Sequence, residues 1–210
     1  MENVHEFDKI RKEAELAISQ HDAAHEFSHS LRVMNLAMHI GKKECADLNV
    51  LIPAALLHDV APQDKSSLEK RKSSADASAD MARIILRKND VADETAKKIL
   101  YAIRSHSFSK GIVPETLEAK VLQDADRLDA IGAIGLARLF VICGTWKGHR
   151  LYCLEEPFAQ SRALDEGKYS LDHYFTKLSK LKMNTRAGEE LAAPRREFMR
   201  SFVGQLKKEI

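Results

Sequence analysis

The chain has 210 residues, 44% hydrophobic and 30% charged, with 33 basic against 31 acidic residues and a formal net charge of +2. That composition gives room for one sizeable core and excludes a disordered or fibrous chain. The balanced charge argues against a general nucleic-acid or membrane-surface binder. Three scattered cysteines (Cys45, Cys143 and Cys153), with no CxxC spacing, argue against a disulfide framework or zinc knuckle.

Alternating runs of β-branched and aromatic residues are missing, and helical periodicity recurs instead. Residues 5–20 predict an amphipathic helix carrying Phe7, Ile10, Ala14, Leu16 and Ile18. The opening stretch is charged throughout, with no apolar leader core, and no later run reaches membrane-span length, so a cytoplasmic location is expected. A second helix is expected over 24–42, with Phe27, Leu31, Met34, Ala37, Met38 and Ile40. Asp47 reads as the N-cap of a third, and Pro53 is expected in its first turns, where a missing N–H costs little. Because this third helix is apolar on all faces, it is expected to be central and buried. Residues 61–73 read as a polar loop. Helices are expected over 74–88, 92–105, 115–128 and 130–143, then a long loop over 144–169 and two further helices over 170–182 and 187–208. The expectation is one all-α domain over 1–210, with a core at about 21–145, a C-terminal helical part at about 146–210 and no linker.

The third helix ends in LIPAALLHDV, so His58 and Asp59 follow an apolar run. A buried carboxylate needs a cation, a set of donors or a metal. For an isolated pair, a satisfied helix end is the ordinary outcome. Three more features change that. HEFSHSLRV sets His29 on the second helix with Arg32 about one turn later, AIRSHSFSK puts His106 at a helix end, and VLQDADRLDAIGAIG clusters Asp124, Asp126 and Asp129 in an apolar helix. A metal accounts for all of these at once, since it neutralises the carboxylates and employs the imidazoles.

The order His29, His58–Asp59 and a later Asp resembles the signature of the HD-domain metal-dependent phosphohydrolase superfamily. HDAAHEFSHSLRV, AALLHDV, AIRSHSFS, EAKVLQDADRLDAIGAIGLAR, EPFAQSRALDEGKYSLDHYFTKL and LKMNTRAGEELAAPRREFM all resemble one branch of small bacterial and archaeal hydrolases, across nearly the whole chain. The resemblance implies a single HD-domain helical bundle in which His29, His58, Asp59 and a later Asp bind one divalent metal. Relatives carry an A-D-x-L core that matches Ala125–Leu128, which favours Asp126 as the fourth ligand, with Asp124 as its partner or substitute. Asp129, at i+3 from Asp126, is expected to orient a ligand or water. The mixed imidazole and carboxylate set suits Mn, Fe, Co, Ni or Zn, with Mg less well suited and Mn favoured. Asp59 is expected both to ligate the metal and to position the attacking water.

His106 is expected to bind phosphate or protonate the leaving oxygen, against a plain role in capping helix carbonyls. Lys110 adds positive charge nearby in the sequence, and Arg32 meets either a phosphate or a carboxylate. His25 lines the pocket or lies at the surface. Relatives place an acidic residue three or four positions after the HD pair; here those positions are Pro62 and Gln63, and Asp64 follows at five. His173 and Lys177, i and i+4 in LDHYFTKL, form a phosphate-facing wall by the resemblance and a solvated face otherwise. Gly132 and Gly135 are read as close-packing glycines and Trp146 as a loop anchor.

The expected partner is a small phosphorylated substrate, a nucleotide, with no nucleic acid and no membrane, for a monomer or homodimer. The expected reaction is (deoxy)nucleoside triphosphate pyrophosphohydrolysis by metal-activated water. The alternatives are a 5′-nucleotidase or phosphomonoesterase, and a nucleotide-binding regulatory module without turnover.

Overall fold

The computed structural model describes residues 7–19, 26–62, 68–107 and 111–210, with 68–73 described by backbone only. The described residues form nine α-helices: α1 Asp8–Ile18, α2 Phe27–Glu44, α3 Leu48–Leu57, α4 Leu68–Lys88, α5 Asp93–His106, α6 Leu117–Asp129, α7 Gly132–Gly144, α8 Ser170–Thr176 and α9 Arg186–Glu209. Among these residues there is no strand, only an isolated bridge between Arg150 and Tyr169, and no helix is long and apolar enough to cross a membrane. The chain divides into two compact units, Met1–Asp126 with Asn184–Gly188, and Arg127–Met183 with Glu189–Ile210.

The first unit is organised around α3. Asp47 caps it as expected, its side chain accepting from the Asn49 N–H at 2.9 Å. Every residue from Val50 to Leu57 is buried, against α1, α2, α4 and α5. Pro53 corrects the expectation: it is the sixth helical residue, past the unpaired first turn, where an N–H would have met the Asn49 carbonyl. On α2, Ser30, Val33, Met34, Ala37, Ile40 and Gly41 form one buried stripe at helical spacing. A Cβ on Gly41 would lie 2.5 Å from Leu51 Cδ1, so the missing side chain lets α2 and α3 approach. Cys45 ends α2 at φ 60°, and the N–H groups of Cys45 and Ala46 both donate to the Gly41 carbonyl.

The expected loop over 61–73 is also corrected, because α4 begins at Leu68. LEKRKSS has no apolar period of its own; among the residues of α4 whose side chains are described, Ala75, Ala79, Ala82 and Leu86 form a buried stripe.

In the second unit, α7 packs against α8. The long loop appears as expected between Gly144 and Ser170 and is fastened to α8. Arg162 donates through both terminal nitrogens to the fully buried Asp172, at 2.6 and 2.7 Å, and Asp172 also accepts the Asp165 N–H at 2.7 Å. The expected helix over 170–182 is shorter: α8 stops at Thr176 and a 3-10 turn covers Leu178–Lys180. Gly132 takes φ +80°, with the Arg195 stem 3.1 Å from where a Cβ would sit. Trp146 packs edge-on to His149, within that loop.

Candidate metal centre

Four elements of the first unit bring their polar ends together. His29 lies in the first turn of α2, His58 and Asp59 follow the last residue of α3, His106 ends α5, and Asp126 lies on α6. The three imidazoles are buried, while Asp59 and Asp126 keep 19% and 30% of their side chains exposed, so the cluster opens to solvent on its carboxylate side.

His29 Nε2 stands 3.1 Å from His58 Nε2, 3.4 Å from Asp126 Oδ1 and 3.9 Å from Asp59 Oδ2. His58 Nε2 is 3.9 Å from both carboxylates, and His106 Nε2 is 3.6 Å from the other Asp59 oxygen, Oδ1. Among the described residues, His29, His58 and Asp59 form a group that places one ligand atom each within 4.8 Å of the others. Asp59 thus faces two ways, one oxygen to the imidazole pair and the other to His106.

The helix ends fix the tautomers. His58 Nδ1 donates to the Ala55 carbonyl at 2.8 Å, and His106 Nδ1 donates to the Ile103 carbonyl at 2.6 Å. Each ring therefore caps its own helix with Nδ1 and turns Nε2 to the cluster. Capping and site chemistry are not alternatives here; one ring does both.

Burial pushes His58 down to about 4, so it is neutral at neutral pH with its Nε2 lone pair available. Burial also works against charge on Asp59 and Asp126. The surrounding histidines outweigh it and hold both carboxyls well below the usual carboxylate range. For His106 burial is again opposed: the Asp59 carboxylate raises it above an ordinary histidine. The donor set fits a divalent metal. Two Nε2 atoms about 2.1 Å from one ion at a right angle stand about 3.0 Å apart, close to the 3.1 Å seen between His29 and His58.

The other predicted residues lie as follows. Asp124 is buried and turned elsewhere: its oxygens accept from the N–H and side-chain amide of Asn184 and from the N–H and hydroxyl of Thr185, all at 2.7–2.9 Å. Asp129 belongs to the second unit, where it accepts from Arg138 at 2.6 Å. Arg32 donates to Ser28 one turn back on α2. His173 and Lys177 are in the second unit; His173 meets Glu166 at 3.0 Å, and Lys177 is the cap after α8 rather than a helical residue. His25, Asp64 and Lys110 lie outside the described residues. Sequence reasoning missed Gln123, whose amide donates to the Ser105 carbonyl beside His106, together with Asn184 and Thr185 on Asp124. Their only signals were the resemblances carried by VLQDADRLD, which holds Gln123, and by LKMNTRAG, which holds Asn184 and Thr185.

The HD domain model matches residues 27–131, the span that holds His29, His58, Asp59, His106 and Asp126. The chain belongs to the HD-domain family. It is 36% identical to the Bacillus subtilis protein YpgQ, over all of this chain and 96% of YpgQ. A crystal structure of YpgQ in complex with ADP matches with a TM-score of 0.75 and 34% identity, covering 100% of this chain and 97% of that one. A Lactobacillus plantarum structure gives 0.76 at 31% identity, with 100% and 98% covered. An HD-superfamily hydrolase from Bacillus thuringiensis gives 0.74 at 32% identity, with 98% and 96% covered. HD-family membership and the His29–His58–Asp59 group together support a metal-dependent hydrolase.

Proposed function

We propose that this HD-domain protein is a phosphohydrolase acting on nucleotides, cleaving (deoxy)nucleoside triphosphates to monophosphate and pyrophosphate. One observation carries the reading: two imidazole nitrogens and two carboxylates, from three helices distant in sequence, converge at a cluster whose carboxylate side is open. His29, His58, Asp59 and Asp126 would hold one divalent ion, with Mn favoured by the mixed donor set. Once bound, such an ion acidifies water and polarises a phosphoryl oxygen. Asp59 holds the water through the oxygen turned to His106. With Nδ1–H held by the Ile103 carbonyl, His106 carries a second proton on Nε2 only in its cationic form, which the facing Asp59 carboxylate favours; from there it can protonate the leaving oxygen or bind the phosphate. Arg32, on the helix of His29, and Lys110, four residues past His106, supply positive charge for the phosphates. The ADP held by YpgQ supports the nucleotide class.

The test is product identification. Metal-stripped protein is reloaded with Mn, Mg, Co, Ni or Zn and incubated with ribo- and deoxynucleoside mono-, di- and triphosphates, with Asp59→Ala as control. The expected products are monophosphate and pyrophosphate from triphosphates, in the intact protein only. Release of phosphate from monophosphates would replace this reaction with phosphomonoester hydrolysis. Nucleotide binding without product would make the chain a binding module.

A further inference from the structure

We infer that Asn184–Gly188 is a clamp that positions the metal centre, with Asp124, Gln123 and Asn184 as positioning residues for Asp126 and His106. The inference rests on the proposed metal reading, and all its members belong to the first unit.

Asp124 has no exposed surface and accepts four hydrogen bonds from a segment 60 residues downstream. A carboxylate buried that deeply needs its lone pairs filled. Two residues apart on an α-helix stand about 200° apart around the axis. Asp124 and Asp126 therefore leave α6 on opposite sides, one to the clamp and one to His29. Holding Asp124 fixes the rotation of α6 and so the 3.4 Å between Asp126 Oδ1 and His29 Nε2.

The clamp is shaped for this carboxylate. Thr185 accepts the Gly188 N–H at 3.0 Å and so caps α9, bringing a helix N-terminus over Asp124. A Cβ on Gly188 would sit 2.5 Å from Asp124 Oδ2. Glycine alone permits that approach.

The same five residues reach two of the other three helices of the centre. The Asn184 side chain donates to Gln123 Oε1 at 3.0 Å, which orients the amide so that its Nε2 donates to the Ser105 carbonyl at 3.1 Å, one residue before His106. The Ala187 N–H donates to Glu44 at 2.7 Å, at the end of the α2 helix that carries His29. The ends of α2 and α5 and the middle of α6 are thereby tied to one short segment.

A clamp that only stabilised the fold would lower the melting temperature and leave the metal's surroundings alone. Co(II) titration of the full-length metal-free protein, read by the visible absorption band, separates the two. Asn184→Ala removes the side-chain bonds to Gln123 and Asp124 at an exposed position and leaves the backbone bonds in place. Loss of a partner behind a metal ligand weakens metal binding by about 10–100-fold. The expected result is binding weakened by about tenfold in Asn184→Ala and more in Asp124→Asn, with an altered band in both. Asn89→Ala removes side-chain bonds to Glu13 and Ile85 elsewhere in the unit and is expected to lower the melting temperature while leaving affinity and band as in wild type. Wild-type affinity and band in Asn184→Ala would overturn the inference, and this exposed variant decides if Asp124→Asn does not fold. Failure of the wild-type protein to bind Co(II) would instead overturn the metal reading, and the clamp's role with it.

Discussion

His58 and His106 each divide their two ring nitrogens between a helix carbonyl and the cluster, and their surroundings push them in opposite directions. Stability follows from this. As pH falls from about 6.5, an unfolded chain takes up a proton that native His58 refuses until about 4. The metal-free protein should therefore lose up to about 3 kcal/mol of stability between those values, by 1.36 kcal/mol per pH unit. His106 has the opposite sign: its native form holds its proton longer, so its contribution is lost as pH rises past the unfolded value. Urea unfolding of metal-free protein between pH 4 and 8 measures both, and His58→Gln should flatten the acid side. Catalysis gives a second prediction at this scale. His106→Asn should lower kcat by about 10²–10⁴-fold, the usual worth of a general acid, while Mn(II) affinity measured by titration changes far less. The sequence made these residues legible because histidine and aspartate stood inside apolar runs. It could not choose between capping and chemistry for His106, since that depends on which nitrogen faces where.

At the scale of elements, nearly every helix was legible from its apolar period, and the misses have local causes. The first turns of α4 read as loop because LEKRKSS carries no apolar stripe, and Lys177 read as helical because nothing in LDHYFTKL marks the stop at Thr176. Two substitutions test the helix ends. Cys45 sits at φ 60°, where a non-glycine side chain is crowded. Cys45→Gly should raise stability by about 0.5–1 kcal/mol in urea unfolding, since relief of the left-handed cost exceeds the added chain entropy. Gly188→Ala is expected to go the other way. Helix propensity favours alanine by up to about 1 kcal/mol, but its Cβ would meet Asp124 Oδ2 at 2.5 Å. A net loss of about 1–3 kcal/mol is expected, as for overpacked sites.

For the molecule as a whole, the first unit holds all five residues of the cluster and receives Asn184–Gly188 from far along the chain. That return was not legible, because four hydrogen bonds onto Asp124 across 60 residues leave no periodic trace. The sequence placed Asp124 and Asp126 side by side as candidates; the fold sends them to opposite sides of α6. Metal binding to the native state alone adds about 2.7 kcal/mol at a hundredfold excess over Kd, so the melting temperature should rise with Mn(II) in wild type and stay flat in His29→Ala. The most direct test is the number of Mn(II) ions bound per chain, by equilibrium dialysis and elemental analysis, in wild type, Asp126→Ala and Asp129→Asn. The structure-based prediction is one ion in wild type and in Asp129→Asn and none in Asp126→Ala. One ion held at unchanged affinity by Asp126→Ala, or two ions in wild type, would contradict a single centre built from His29, His58, Asp59 and Asp126.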